Sequence, residues 1–164
     1  MGSYLNPGSE LFQMSRASEI YVDKSELIDH MNRCLKTQQR YVCVSRPRRF
    51  GKSMALDMLS AYYGRSETTE ALFSDLKVSA SASFGKHLNQ YDVLRINMQE
   101  FLSATQNTEE MLALIQKRLI RELKEQYPEA VEETHLAFAM QDVYKKTRHP
   151  FVVLIDEWDC LFRE

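Results

Sequence analysis

Ser45-Arg46-Pro47-Arg48-Arg49-Phe50-Gly51-Lys52-Ser53 is the stretch on which the reading of this chain turns. Its last three residues complete the pattern G-x-x-x-x-G-K-S/T, a phosphate-binding loop at the start of a helix. Arg46 stands where that pattern has its first glycine, so the match is incomplete. The physics of the remainder holds. Gly51 lets the backbone turn tightly beside phosphate oxygens, and the first N–H groups of the next helix lack intrahelical partners and face an anion. Lys52 is suited to span the β- and γ-phosphates, and the Ser53 hydroxyl to ligate Mg²⁺. Immediately upstream, Tyr41-Val42-Cys43-Val44 is short, apolar and without alternation, which predicts a buried parallel strand. Downstream, a helix is expected over 52–63, ended by Gly64 as a C′ residue. Strand, loop and helix in that order is the context the loop requires.

A second element lies far along the chain. Phe151-Val152-Val153-Leu154-Ile155 is an apolar run that ends in Asp156-Glu157. A carboxylate there sits at the carboxyl edge of a sheet, where open α/β sheets bind ligands. Asp156 suits Mg²⁺ held through its water shell, and Glu157 suits orientation or activation of an attacking water. Together the two motifs predict a site in which Glu157 and Lys52 are catalytic. Arg46, Pro47, Arg48, Arg49, Phe50, Gly51, Lys52, Ser53 and Met54 contact nucleotide, and Ser53 and Asp156 hold the metal. The arginines either add charge-assisted bonds to phosphate, or pair with nearby acids or hold a partner surface. Trp158, the single tryptophan, reads as packing beneath the sheet edge or as a nucleotide-stacking ring.

The other segments fit an α/β frame. Residues 1–20 lack periodicity. Asp23 with Glu26 forms a capping box before a helix over 24–36 that places Leu27, Ile28, Met31 and Leu35 on one face. A short helix is expected over 68–76, a loop over 79–83 and a second strand over 91–98. A helix capped by Asn107 and Glu110 buries Met111, Leu112, Ile115, Leu119 and Leu123. Another opens at Pro128 and carries Leu136, Met140, Val143 and Tyr144 on one side. Strand, helix, strand, helices, strand predicts a mainly parallel sheet.

The bulk numbers exclude several classes. The chain has 164 residues, 44% apolar and 27% charged, with net charge −2, which argues against a strongly basic nucleic-acid binder. Cys34, Cys43 and Cys160 form no CxxC pair, so neither a disulfide framework nor a structural zinc site is expected. No apolar run approaches the ~18 residues of a membrane span, and the N-terminus lacks the charge and apolar run of a signal peptide. A cytoplasmic protein is expected.

The same residues carry a resemblance to a known family. Ser45–Ser53 resembles the arginine-rich P-loop of the bacterial AAA-ATPase-like family, in which the arginine at the first position is the usual residue. Tyr21-Val22-Asp23-Lys24-Ser25 resembles the family's Tyr-Val-Asp-Lys-Thr/Ser signature, and Leu154-Ile155-Asp156-Glu157-Trp158-Asp159 its Ile-Asp-Glu-Tyr/Trp-Asp segment. The resemblance implies a three-layer P-loop NTPase fold of the additional-strand, catalytic-glutamate type, with sheet order 5-1-4-3-2. It also implies ATP and Mg²⁺ as cofactors and ATP hydrolysis in the complete domain. Residues 1–40 then form an N-terminal extension with a helix, and residues 41–164 the N-terminal portion of the ATPase domain, truncated after the second motif. Self-association or a missing C-terminal portion is expected, with nucleic acid reached only through an absent C-terminal domain. The alternative is a nucleotide-binding interaction or scaffold protein without turnover. A GTPase or small-molecule kinase is a further class, less suited to the Asp-Glu pair.

Overall fold

The structure is a computed structural model and describes residues 2–45, 47, 49–131 and 134–162. It is a mixed helix and strand architecture with a small parallel sheet, compatible with an α/β fold. Two compact units divide the chain, Gly8–Gln90 and Met1–Pro7 with Tyr91–Glu164.

Within Gly8–Gln90, α1 spans Glu10–Arg16, α2 Glu26–Cys34, α3 Lys52–Tyr63 and α4 Phe84–His87. Helix α1 lies where the sequence reading expected irregular chain. Its single buried residue is Phe12, whereas Leu11 and Met14 are exposed, so two turns carry no apolar periodicity to read. Phe12 stacks on Phe73 at 5.0 Å between ring centroids, and Tyr62 meets Phe73 edge-on at 5.6 Å. Such aromatic pairs add ~0.5–1.5 kcal/mol beyond the area they bury. Asn32 of α2 ties the aromatic core together. Its Nδ2 donates to the Tyr62 hydroxyl (3.2 Å) and its Oδ1 accepts from the Tyr63 hydroxyl (2.8 Å).

Four expectations are corrected in this unit. Asp23 does not cap α2. Its Oδ1 accepts from the Ser25 N–H and its Oδ2 from the Lys77 N–H, each at 2.8 Å, and the helix begins at Glu26. Gly64 ends α3 in extended conformation (φ −62°, ψ 132°) and not in a left-handed one. The Thr69 hydroxyl donates to the Ala61 carbonyl in the last turn of α3 at 2.7 Å, so a side chain supplies a donor of the kind a glycine turn would have supplied. The short helix expected over 68–76 is a 3-10 turn, Glu70–Leu72, and Lys77–Ala80 forms another, reaching into the expected loop. Residues 41–45 form neither strand nor helix, and Tyr41 is 83% exposed. A strand's backbone bonds all go to a neighbouring strand. A four-residue apolar run without such a ladder has nothing to hold it extended.

Within the second unit, β1 spans Asp92–Asn97, α5 Met98–Ser103, α6 Thr108–Gln126, α7 Leu136–Thr147 and β2 Phe151–Asp156. The strands pair in parallel, from Asp92 opposite Phe151 to Asn97 opposite Asp156. The other edge of β1 is covered by the N-terminal segment. Leu5 bridges Leu94 antiparallel, and the Asn6 N–H donates to the Val93 carbonyl at 2.7 Å. Glu122 of α6 holds that segment through three backbone N–H groups, those of Ser3, Tyr4 and Leu5. The core gathers Leu94, Ile96, Phe101, Met111, Ile115, Leu119, Leu123, Ala139 and Val143.

Helix α6 starts as expected, with Asn107 Oδ1 accepting from the Glu110 N–H at 2.9 Å. The Glu110 carboxylate, however, accepts from the Gln106 N–H and not from that of Asn107. Leu112 is half exposed and lies outside the core. The helix expected at Pro128 begins only at Leu136. Pro128 instead follows Tyr127 in a turn closed by the Ala130 N–H on the Tyr127 carbonyl at 2.9 Å. Proline's fixed φ serves the second position of such a turn as well as it serves a helix start. On β2 burial is one-sided. Leu154 and Asp156 are covered, whereas Val153 and Ile155 are nearly half exposed.

Candidate functional site

Helix α3 contains no β-branched residue, and its second half, Met58–Tyr63, is buried on every side. Helix formers such as Ala, Leu and Met favour it locally, and burial of the second half fixes its direction. Its first turn is left toward solvent, with Ser53 and Met54 exposed. Gly51 is the N-cap residue, in the left-handed region at φ 75° and ψ 31°. No side chain caps the helix there, and its first turn contains no acidic residue. By contrast, α6 has an Asn107 cap and Glu109 and Glu110 in its first turn. The positive end of the α3 dipole thus meets neither a side-chain cap nor a first-turn carboxylate, and it favours an anion.

The segment before α3 is equally exposed. Pro47, Arg49 and Phe50 face solvent, and Arg49 is itself left-handed at φ 66°. The expectations for Arg46 and Arg48 fall outside the described residues. Lys24 reaches this loop from the segment before α2, its Nζ donating to the Phe50 carbonyl at 2.8 Å. A Cβ placed on Gly51 would lie 2.8 Å from the same Nζ. Gly51 is therefore favoured by its backbone angle, whereas the Lys24 amine ends a flexible side chain that can withdraw. Tyr21–Lys24 stands out as a motif in the sequence, but this contact spans 26 residues of chain and leaves no local pattern. Tyr21 packs against Phe12 at 6.4 Å, with the Arg16 guanidinium over its ring.

The second motif closes β2. Asp156 is its last residue and is 5% exposed. Its Oδ1 accepts from the Glu157 N–H at 3.0 Å. Glu157 follows in a left-handed conformation, φ 53°, which is uncommon for a residue with a side chain. The Glu157 carbonyl accepts from the Cys160 N–H and opens the 3-10 turn Trp158–Phe162. Trp158 is 46% exposed, so it is not the sealed packing residue that one of its two readings expected.

Other concave surface lies elsewhere. A groove of about 590 Å³ along α6, lined by Lys117, Ile120, Arg121 and Lys124 among others, includes none of the candidate residues. Among the described residues no cluster of three or more His, Cys, Asp or Glu side chains is placed to hold a metal. No described helix is long and apolar enough to cross a membrane.

Compared with known proteins, the chain matches one family model, AAA-ATPase-like, described as a predicted AAA-ATPase, over residues 9–164. No curated protein and no solved structure matches it.

Proposed function

The chain belongs to the AAA-ATPase-like family, and from that premise we propose that it binds Mg²⁺–ATP through the loop 46–53 and hydrolyses it. The observation that carries this reading is the start of α3. A left-handed Gly51 leads into a helix whose N-terminus has neither a side-chain cap nor an acidic first turn, with Lys52 and Ser53 as its first residues. Donors arranged around a bare helix terminus suit a phosphate. Lys52 neutralises phosphate charge, and the exposed Ser53 hydroxyl is available as a metal ligand.

Asp156 and Glu157 complete the proposal. Asp156 is assigned to the metal's coordination sphere, and its orientation is fixed by the Glu157 N–H on Oδ1. Glu157 is assigned to the attacking water, whose proton a carboxylate at that position accepts. Magnesium, when bound, supplies positive charge against the triphosphate. The strained backbone at Glu157 supports a functional role, because left-handed side-chain-bearing residues concentrate at such sites.

Titration of the chain with a fluorescent ATP analogue, with and without Mg²⁺, tests the reading, together with a thermal melt. Ligand that binds only the folded state raises the melting temperature. Lys52→Ala is expected to abolish both the binding signal and the rise. An equal response in wild type and variant would overturn the assignment of the loop.

A further inference from the structure

The segment Val22-Asp23-Lys24-Ser25 is held from both sides. Asp23 Oδ2 accepts from the Lys77 N–H at 2.8 Å, and the Ser25 hydroxyl accepts from the Val78 N–H at 3.1 Å. Ser25 is fully buried. Two consecutive N–H groups of the 3-10 turn Lys77–Ala80 thus grip the residues on either side of Lys24. Lys24 itself is exposed, and its side chain crosses to the Phe50 carbonyl. Among the described residues it makes no ion pair, so its charge is directed at the loop alone.

Phe50 lies between two left-handed residues, Arg49 and Gly51. The peptide is trans, so the Phe50 carbonyl and the Gly51 N–H point in opposite directions. Holding the carbonyl toward Lys24 aims the Gly51 N–H away from it. Hydrogen bonding of the ammonium to that carbonyl also polarises the peptide and strengthens its N–H as a donor.

We infer that Lys24 is a positioning residue of the phosphate loop: it fixes the Phe50–Gly51 peptide so that the Gly51 N–H is presented to a nucleotide phosphate. This role rests on the nucleotide-binding reading of the loop. Lys24 acts through the peptide and not on the phosphate itself, so its loss weakens ATP and ADP alike.

The test compares wild type, Lys24→Met, Lys24→Arg and Lys52→Ala in two measurements. The first is the Gly51 amide resonance of the nucleotide-free chain. The second is affinity for Mg²⁺–ATP and Mg²⁺–ADP. In K24M the Gly51 amide shifts and both affinities fall about tenfold, as expected for one charge-assisted hydrogen bond. The nucleotide-free melting temperature is unchanged, because the lost side chain is exposed. Lys24→Arg retains a donor and restores both readouts. A K24M chain with the wild-type Gly51 resonance or wild-type affinities overturns the inference, as does failure of K24R to restore them. Lys52-dependent binding that K24M leaves intact sinks the inference alone. Absence of binding by wild type sinks the nucleotide reading with it.

Discussion

Asn6 and Asp92 are both fully buried, and the Asn6 amide donates to Asp92 Oδ1 at 2.7 Å. The Tyr127 hydroxyl meets the same carboxylate at 2.8–2.9 Å, and Asn6 Oδ1 accepts from the Val93 N–H. A polar knot therefore joins the N-terminal segment, the start of β1 and the end of α6. A buried carboxylate that loses a donor keeps its desolvation penalty, about 1–3 kcal/mol or more. Asn6→Ala is expected to destabilise the chain by about 2–3 kcal/mol, and Tyr127→Phe by less, because Asn6 remains. Urea unfolding of both variants checks the order. A larger loss in Y127F would show that Tyr127, and not Asn6, is the principal partner of Asp92.

His87 provides a pH-dependent term. Burial, then the nearby charges of Lys86 and Lys36, hold its pKa below the ordinary 6.5. A base whose folded pKa is depressed binds fewer protons folded than unfolded, so stability rises with pH between the two values. Acidification from neutrality through 6.5 thus removes stability until the folded pKa is passed. Asp23 and Asp29 act in a different window. For Asp23, burial opposes ionisation but is outweighed by hydrogen bonds from Ser25 and Lys77; for Asp29, the Ser81 and Ser83 hydroxyls lead. Both carboxyls are held below 3.8, so their contribution is lost only at lower pH. His87→Gln is expected to flatten the fall in melting temperature between about pH 7 and pH 5 and to leave the acid limb unchanged. An unaltered slope near neutrality would exclude His87 as its source.

How much of this was legible in the sequence depends on where each element draws its support. Helix α3 was read to the residue, because helix propensity, the glycine before it and the glycine after it are all local. The apolar run of β2 was equally plain. Tyr41–Val44 is likewise a short apolar run, but whether such a run forms a strand depends on a ladder partner that no local pattern records. Helix α1 is anchored by Phe12 on Phe73, a contact visible only after folding. The candidate site followed the same division. Gly51, Lys52, Ser53, Asp156 and Glu157 announced themselves by spacing, whereas the reach of Lys24 to Phe50 depends on Lys77 and Val78 gripping its neighbours. The Asp23–Glu26 capping box was the opposite error, a sound local motif whose carboxylate found a distant N–H.

Glu157 combines a proposed catalytic role with an unfavourable backbone. Glu157→Gln keeps shape and backbone and removes the base. Mg²⁺–ATP affinity is expected to stay within about threefold, while phosphate release in the hydrolysing protein falls ~10²–10⁴-fold. Glu157→Gly relieves the left-handed strain, worth about 1–2 kcal/mol, so it is expected to stabilise the fold while abolishing turnover. Stability gained as activity is lost marks a residue kept for function. Retained turnover in E157Q would remove Glu157 from the chemistry.

Gly51 and Lys24 can be separated by a double-mutant cycle. Gly51→Ala places a side chain at φ 75°, a cost of about 1–2 kcal/mol. The new Cβ also lies 2.8 Å from the Lys24 Nζ. The Nζ ends a flexible side chain and can withdraw, so the clash is relieved by giving up the bond to Phe50. The strain of the backbone angle, however, is independent of Lys24. The stability loss caused by G51A is therefore expected to be the same in the wild-type and K24M backgrounds, within ~0.5 kcal/mol. Nucleotide affinity behaves differently. G51A alone already disengages Lys24, so adding K24M should weaken Mg²⁺–ATP binding by less than about twofold, against about tenfold in the presence of Gly51. Denaturant unfolding and affinity titration of the four proteins measure both couplings. Losses of affinity that simply add would show that Lys24 and the Phe50–Gly51 peptide act separately on the nucleotide.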